Sequence, residues 1–248
     1  MNDEDSPRSA AARAAAELAL VRVVHHYGGR PDLEIACGAV RAARLEQALR
    51  NAEFEPDAQR VWRWNLTDPS GVRTVVKFEL LADLDTEPEG ATVEFAGCEQ
   101  LGAANLRGTG YAAKDTTIHQ LRAKDHGTWR LAEINVTGLA GFLLAKTAAA
   151  HSRRKPKDWY DIPFVLLNNE YGDAVAAAAR VRKVFWDPTG TIRTQLRDLQ
   201  ANFADSSAQG TSAYVNQITL DHPEVDPSTP AADAILAVGI FADSLLAV

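Results

Sequence analysis

Residues 137–169, TGLAGFLLAKTAAAHSRRKPKDWYDIPFVLLNN, constrain the fold of this chain more than any other segment. Apolar residues recur at helical spacing on both sides of a short basic stretch, 151–157, which predicts two helices joined by a tight turn. Pro156 suits the first turn of the second helix, because the N–H that proline lacks has no intrahelical partner there. We therefore expect an antiparallel helical hairpin.

Three charged residues of this hairpin fall beside its apolar stripe. Lys146 comes one helical turn after Phe142, while Asp158 and Asp161 share one side of the second helix. A turn centred at 153–154 would place Lys146 level with Asp161 and one turn from Asp158. Two interpretations are open: a structural ion pair, with Asp158 also favouring the helix N-terminus, or a functional site, because buried charges are costly unless they pair or bind a charged ligand.

Composition limits the classes of protein that this chain can represent. The net charge of −7 argues against a protein that coats nucleic acid without specificity. No apolar run approaches the ~20 residues of a membrane span, and the acidic start MNDEDSPRS lacks the features of a signal peptide. Cys37 and Cys98 have no metal-binding spacing. We expect a cytoplasmic protein without a membrane partner.

The order of the predicted elements indicates an α+β fold. A helical half follows an amino-terminal half that mixes helices and strands, so we predict an α+β domain over 1–136 and a helical domain over 137–248. Polar linkers are predicted at 204–211 and 221–230. Besides the hairpin, we predict helices at 8–27, 40–52, 171–185, 188–203 and 231–246, and strands at 32–37, 61–64, 73–81, 91–95, 116–123 and 128–136.

The strand predicted at 73–81, RTVVKFELL, has the clearest alternation in the chain. Lys77 and Glu79 share one face, and Val76 and Phe78 lie on the other. An exposed sheet face is the simplest interpretation of that pattern.

Together, VVKFELLAD and the hairpin resemble the AbiEii/AbiGii toxin family of nucleotidyltransferases. In that family a K-x-x-A helix precedes a K-D-x-x-D helix start, and the corresponding residues here are Lys146-Thr-Ala-Ala149 and Lys157-Asp158-Trp-Tyr-Asp161. With the segment RLEQALRNAEFEPD, the resemblance covers roughly residues 32–185.

The resemblance implies a DNA-polymerase-β-like nucleotidyltransferase fold followed by a helical domain. It also implies transfer of a nucleoside monophosphate from a nucleoside triphosphate to an acceptor such as tRNA, with Mg²⁺ as the metal. Family members act as toxins of toxin–antitoxin modules (type IV-like) or in phage defence, so a cognate antitoxin protein is an expected partner.

The resemblance also assigns roles to individual residues. Lys146 would contact the triphosphate, Asp158 and Asp161 would position that lysine or contact the substrates, and Glu79 would bind metal. The implied catalytic residues are Lys146, Asp158, Asp161 and Glu79; the nucleotide-binding residues are Lys77, Lys146, Arg153, Arg154 and Lys157; and the metal ligands are Glu79, Asp32 and Glu34.

One part of the family pattern is missing. The family signature starts with a glycine turn followed by a strand bearing D-x-D, whereas Gly28-Gly29 runs through Arg30-Pro31 directly into DLEIA. The nucleotidyltransferase fold is therefore expected to be incomplete. Asp32 and Glu34, at D-x-E spacing, could replace the metal ligands of the missing strand, and Asp83-Leu-Asp85 is a weaker candidate for the same role. The chain would then be an active enzyme or a catalytically silent member that binds nucleotide, RNA or protein; a truncated frame without an independent role is a third alternative.

Overall fold

The computed structural model describes residues 7–29, 39–58, 61–67, 71, 73–186 and 190–247. They form two compact units. The first unit takes its residues from Met1–Ala82, Thr86–Asn105 and Thr117–Val136, and the second from Asp83–Asp85, Leu106–Thr116 and Thr137–Val248. The predicted boundary between 136 and 137 is one of the points at which the chain passes between units, but 83–85 and 106–116 belong to the second unit.

The first unit contains two helices and a mixed five-stranded sheet, which agrees with an α+β class. The sheet order is β1-β2-β3-β5-β4, in which only the β3–β5 pair is parallel. The elements are α1 (Pro7–Tyr27), α2 (Ala39–Asn51), β1 (Glu55–Ala58), β2 (Val61–Thr67), β3 (Arg73–Ala82), β4 (Thr92–Glu94) and β5 (Gly102–Asn105).

The predicted alternation along β3 is confirmed. Residues 73, 75, 77, 79 and 81 are exposed, whereas the residues between them are half-buried against the core. Lys77 and Glu79 lie on the exposed face. The core beneath joins α1 and α2 to the sheet through large side chains such as Leu45, Leu49 and Trp62.

A separate two-stranded ribbon completes the first unit. It consists of β6 (Thr116–Asp125) and β7 (Thr128–Thr137), whose terminal residues Thr116 and Thr137 belong to the second unit. Ala123 and Ala132 of the ribbon pack against Val21 and Val24 of α1. The predictions for both strands are confirmed to within two residues at each end.

The second unit is helical. Its buried residues, including Leu143, Trp159, Ile162, Leu196 and Phe241, form one core. The helices are α3 (Tyr111–Lys114), α4 (Leu139–Arg153), α5 (Pro156–Asn168), α6 (Ala174–Val184), α7 (Thr191–Ala201), α8 (Gln209–Asp221) and α9 (Ser228–Leu246).

Several predicted boundaries are wrong. The linker predicted at 204–211 overlaps the start of α8, and the linker predicted at 221–230 overlaps the start of α9. β1, β5 and α3 were not predicted, because each is only four residues long. The strand predicted at 32–37 lies outside the described residues.

The helix α9 is long and apolar enough to cross a membrane by the criteria of length and composition alone. Asp233 and Asp243 interrupt its apolar residues, so the longest uninterrupted apolar run within it is Ala234–Ala242. Its apolar residues have another role within the second unit. Ala234, Val238, Phe241 and Leu245 are fully buried in the helical core, as expected of a core helix. The cytoplasmic location stays a prediction.

Candidate functional site

The α4–α5 hairpin has the geometry expected from its sequence. Arg154 ends α4 in the left-handed conformation, at φ 49°, and its N–H donates to the carbonyl oxygen of Ala150. Lys155 is extended, and Pro156 occupies the first turn of α5. This short turn reverses the chain and brings Arg153 back over the beginning of α5.

Lys146 lies between the two predicted aspartates. Its Nζ is 2.6 Å from Oδ2 of Asp161 and 3.2 Å from Oδ1 of Asp158. It also lies 5.8 Å from the centroid of the Phe142 ring, a distance at which the ring quadrupole attracts a cation. The predicted convergence of these three charged residues is therefore present.

Arg153 adds a second cation to the group. Its Nε donates to Oδ2 of Asp158 at 3.1 Å, and Nη2 donates to Oδ1 at 2.8 Å. This two-point geometry is the strongest that a guanidinium makes with a carboxylate. Only 3% of the Asp158 side chain is exposed, against 21% of Lys146 and 18% of Asp161. We call Lys146, Arg153, Asp158 and Asp161 the hairpin cluster; its formal charges cancel.

The remaining basic residues of the turn do not join the hairpin cluster. Arg154 and His151 both contact Asp198 of α7, each with a nitrogen 2.9 Å from a different carboxylate oxygen. Lys157 is exposed and lines a cleft of about 510 Å³ together with Asp161 and Asp221. Asp161 therefore connects the hairpin cluster with an open cleft.

Lys77 and Glu79 lie in the first unit, whereas the hairpin cluster lies in the second. In the β2–β3 pair, Lys77 is opposite Arg63 and Glu79 is opposite Val61. The other predicted metal ligands, Asp32 and Glu34, fall outside the described residues. Among the residues that the structure describes, no three His, Cys, Asp or Glu side chains are grouped as metal ligands.

Asp115 was missed by the sequence interpretation. Its Oδ2 accepts a hydrogen bond from the N–H of Gly141 in the first turn of α4, at 2.9 Å, and its Oδ1 lies 3.3 Å from Nη2 of Arg180. A carboxylate at this position stabilises the helix by capping its free amides and by opposing its dipole. Gly138 permits the approach, because a Cβ there would lie 2.6 Å from the Asp115 carboxylate. The T-G-x-x-G sequence at 137–141 is the only signal of this contact in the sequence.

Comparison of the chain with family models, with curated proteins and with solved structures finds no match. The family resemblance therefore rests on the sequence segments quoted for it, chiefly the K-x-x-A and K-D-x-x-D residues.

Proposed function

We propose that this chain is a nucleotidyltransferase that transfers a nucleoside monophosphate from a nucleoside triphosphate to an RNA acceptor such as tRNA, in the manner of an AbiEii-type toxin. The observation that supports the proposal is the meeting of Lys146, Asp158 and Asp161 at the α4–α5 seam. These residue types at this spacing carry the family resemblance.

In the proposed reaction, a hydroxyl oxygen of the acceptor attacks the α-phosphorus of the triphosphate. The bond between the α-phosphorus and the bridging oxygen to the β-phosphorus breaks, pyrophosphate leaves, and the acceptor proton passes to solvent. Negative charge is spread over the phosphate oxygens throughout, so a positioned ammonium favours the transition state. Lys146 would provide that ammonium.

The arrangement of the hairpin cluster is compatible with this role. Asp158 accepts two hydrogen bonds from Arg153 that do not involve Lys146, so it would stay paired if Lys146 turned towards a phosphate. Asp161 is then the carboxylate that loses its partner, and it borders the open cleft where solvent can hydrate it. The proposed metal would need Asp32 and Glu34 in addition to Glu79.

A catalytically silent protein that binds nucleotide, RNA or a partner protein is the second candidate. One observation favours it: both cations of the hairpin cluster already have carboxylate partners, so the cluster is complete without a ligand. A structural ion-pair network has this composition.

Incubation of the full chain with labelled nucleoside triphosphates, Mg²⁺ and a tRNA pool separates the two candidates. The nucleotidyltransferase proposal requires label transfer, and Lys146→Ala should abolish it while circular dichroism still reports a folded protein. Lys183→Ala, which removes an exposed lysine of α6, should transfer label like the wild type. Nucleotide binding without transfer would favour the silent protein, and an unchanged rate in Lys146→Ala would refute the role of that lysine.

A further inference from the structure

The outer face of the β6–β7 ribbon is exposed. The two strands are joined by His126 and Gly127, both with positive φ (45° and 84°), as in the two-residue turns that favour tight hairpins. The inner face packs on α1 through Leu121, Ala123, Ala132 and Ile134. Alternation then directs the other side chains outward, among them Ile118, Arg122, Lys124, Trp129 and Leu131.

Large apolar side chains on this face are unusually accessible. Ile118 is 58% exposed, Trp129 57% and Leu131 62%. Scattered exposed apolar residues are normal, but several on one sheet face indicate an interaction surface. Since the inner face of the ribbon already packs on α1, the outer face is the one that a ligand can cover.

Cations are interleaved with these apolar residues. The Arg122 guanidinium lies over Trp129, with its Cζ 4.2 Å from the centroid of the indole. Lys124 points outward two residues further along the same strand. Between Thr116 and Thr137, Glu133 is the only acidic residue whose side chain the strand alternation directs outward. This face is therefore locally basic, although the net charge of the whole chain is −7.

We propose that the outer face of the β6–β7 ribbon binds single-stranded RNA. A base stacks on Trp129, and Arg122 and Lys124 contact phosphates. A single strand presents unpaired π-faces and anionic groups at short intervals, and aromatic side chains interleaved with cations bind both. A paired A-form helix would keep its bases inside. The choice of RNA rests on the proposed function, whereas the preference for a single strand rests on the ribbon itself.

Binding of a fluorescently labelled 12-nucleotide RNA to the full chain, followed by anisotropy without nucleoside triphosphate, tests the proposal. Trp129→Ala should weaken binding about tenfold, the loss expected for one stacked base, and Trp129→Phe should recover part of it. Trp186→Ala is the matched control, because Trp186 is also exposed, at 91%, but lies in the second unit. Lys124→Ala should flatten the slope of log K against log salt by about 0.7, the value for one phosphate contact to a single strand.

Equal affinity of wild type and Trp129→Ala would overturn the site. Equal binding of single-stranded DNA of the same sequence would overturn the assignment to RNA. If the chain does not bind RNA but dimerises in a concentration-dependent way that Trp129→Ala abolishes, the face binds a second copy of the chain instead. The assay is independent of catalysis. RNA binding without label transfer would support the ribbon site and refute the nucleotidyltransferase. Label transfer by Trp129→Ala with unchanged RNA affinity would support the nucleotidyltransferase and refute the ribbon site.

Discussion

The Nζ of Lys146 lies 2.6 Å from Oδ2 of Asp161, across the seam between two consecutive helices. Asp158 is the more buried of the two aspartates and holds both cations of the hairpin cluster. The two carboxylates therefore differ in how much of the cluster depends on them.

Asp158→Ala should destabilise the protein far more than Asp161→Ala. Removal of Asp158 leaves two partly buried cations without their shared partner, a loss of about 3 kcal/mol. Removal of Asp161 leaves Lys146 with Asp158 and costs about 1 kcal/mol, as for a more accessible pair. Urea unfolding followed by circular dichroism measures both values, and equal losses would contradict this hierarchy.

Gly141→Ala should be destabilising although alanine is the better helix former. A Cβ at Gly141 would lie 2.6 Å from the carbonyl oxygen of Tyr111 and 2.8 Å from Oγ1 of Thr137, and such overpacking costs about 2 kcal/mol. Gly239→Ala in α9 is the matched control. It meets no atom within 4 Å, so it should stabilise the protein by about 0.5–1 kcal/mol. Thermal unfolding of both variants is the test, and a stabilised Gly141→Ala would contradict the close contact.

Glu46 should make the first unit sensitive to acid. Burial acts to raise the pKa of this carboxyl, but hydrogen bonds from Arg50 and from the N–H groups of Gln100, Leu101 and Glu99 outweigh it, so the pKa falls below its usual 4.5. A lowered pKa stabilises the fold above pH 4.5, and this stabilisation is lost as the pH falls through the folded-state value.

The substitution Glu46→Gln should therefore destabilise the protein by about 2 kcal/mol at pH 7, through weakened hydrogen bonds. Its difference from wild type should shrink towards pH 3. The matched control is Glu99→Gln, because the Glu99 side chain is 87% exposed. Urea midpoints across this pH range provide the measurement, and a pH-independent difference would argue against the lowered pKa.

Cys98 should be an unreactive thiol at neutral pH. Burial and the nearby Glu46 carboxylate raise its pKa to about 11, from the usual 9.0, and the thiolate is the nucleophile. In a Cys37→Ser background, alkylation should stay slow at pH 8 and keep rising as the pH approaches and passes about 11. Glu46→Gln should speed the reaction at pH 8. A rate that reaches its plateau near pH 9 would refute the raised pKa.

Local sequence rules were sufficient for the hairpin and for β3. Helical spacing, the proline at N1 and the three-residue separation of the aspartates act within one or two helical turns. The structure that they predict therefore does not depend on distant contacts. The approach of Arg153 to Asp158 was not predicted as an ion pair, because it depends on the left-handed conformation of Arg154 at the turn.

Elements whose stability comes from distant partners could not be predicted. The helix α8 has the sequence QGTSAYVNQITLD, which is rich in residues with low helix propensity, and its Tyr214 stacks on Tyr160 of α5. The strand β5 is GAAN and is fully buried, so its pairing with β3 is specified by packing rather than by a pattern. Asp115 is 26 residues before the glycine that it caps, a separation that no capping motif covers.

The capping of α4 by Asp115 also bears on how the chain folds during synthesis. A ribosome releases residues 106–116, which belong to the second unit, before it releases β6 and β7 of the first. Asp115 can therefore cap α4 only after α4 has emerged, more than twenty residues later. A fragment that begins at 137 would lack the Asp115 carboxylate. During synthesis, the helical unit should therefore become protease-resistant only after the five-stranded sheet has formed.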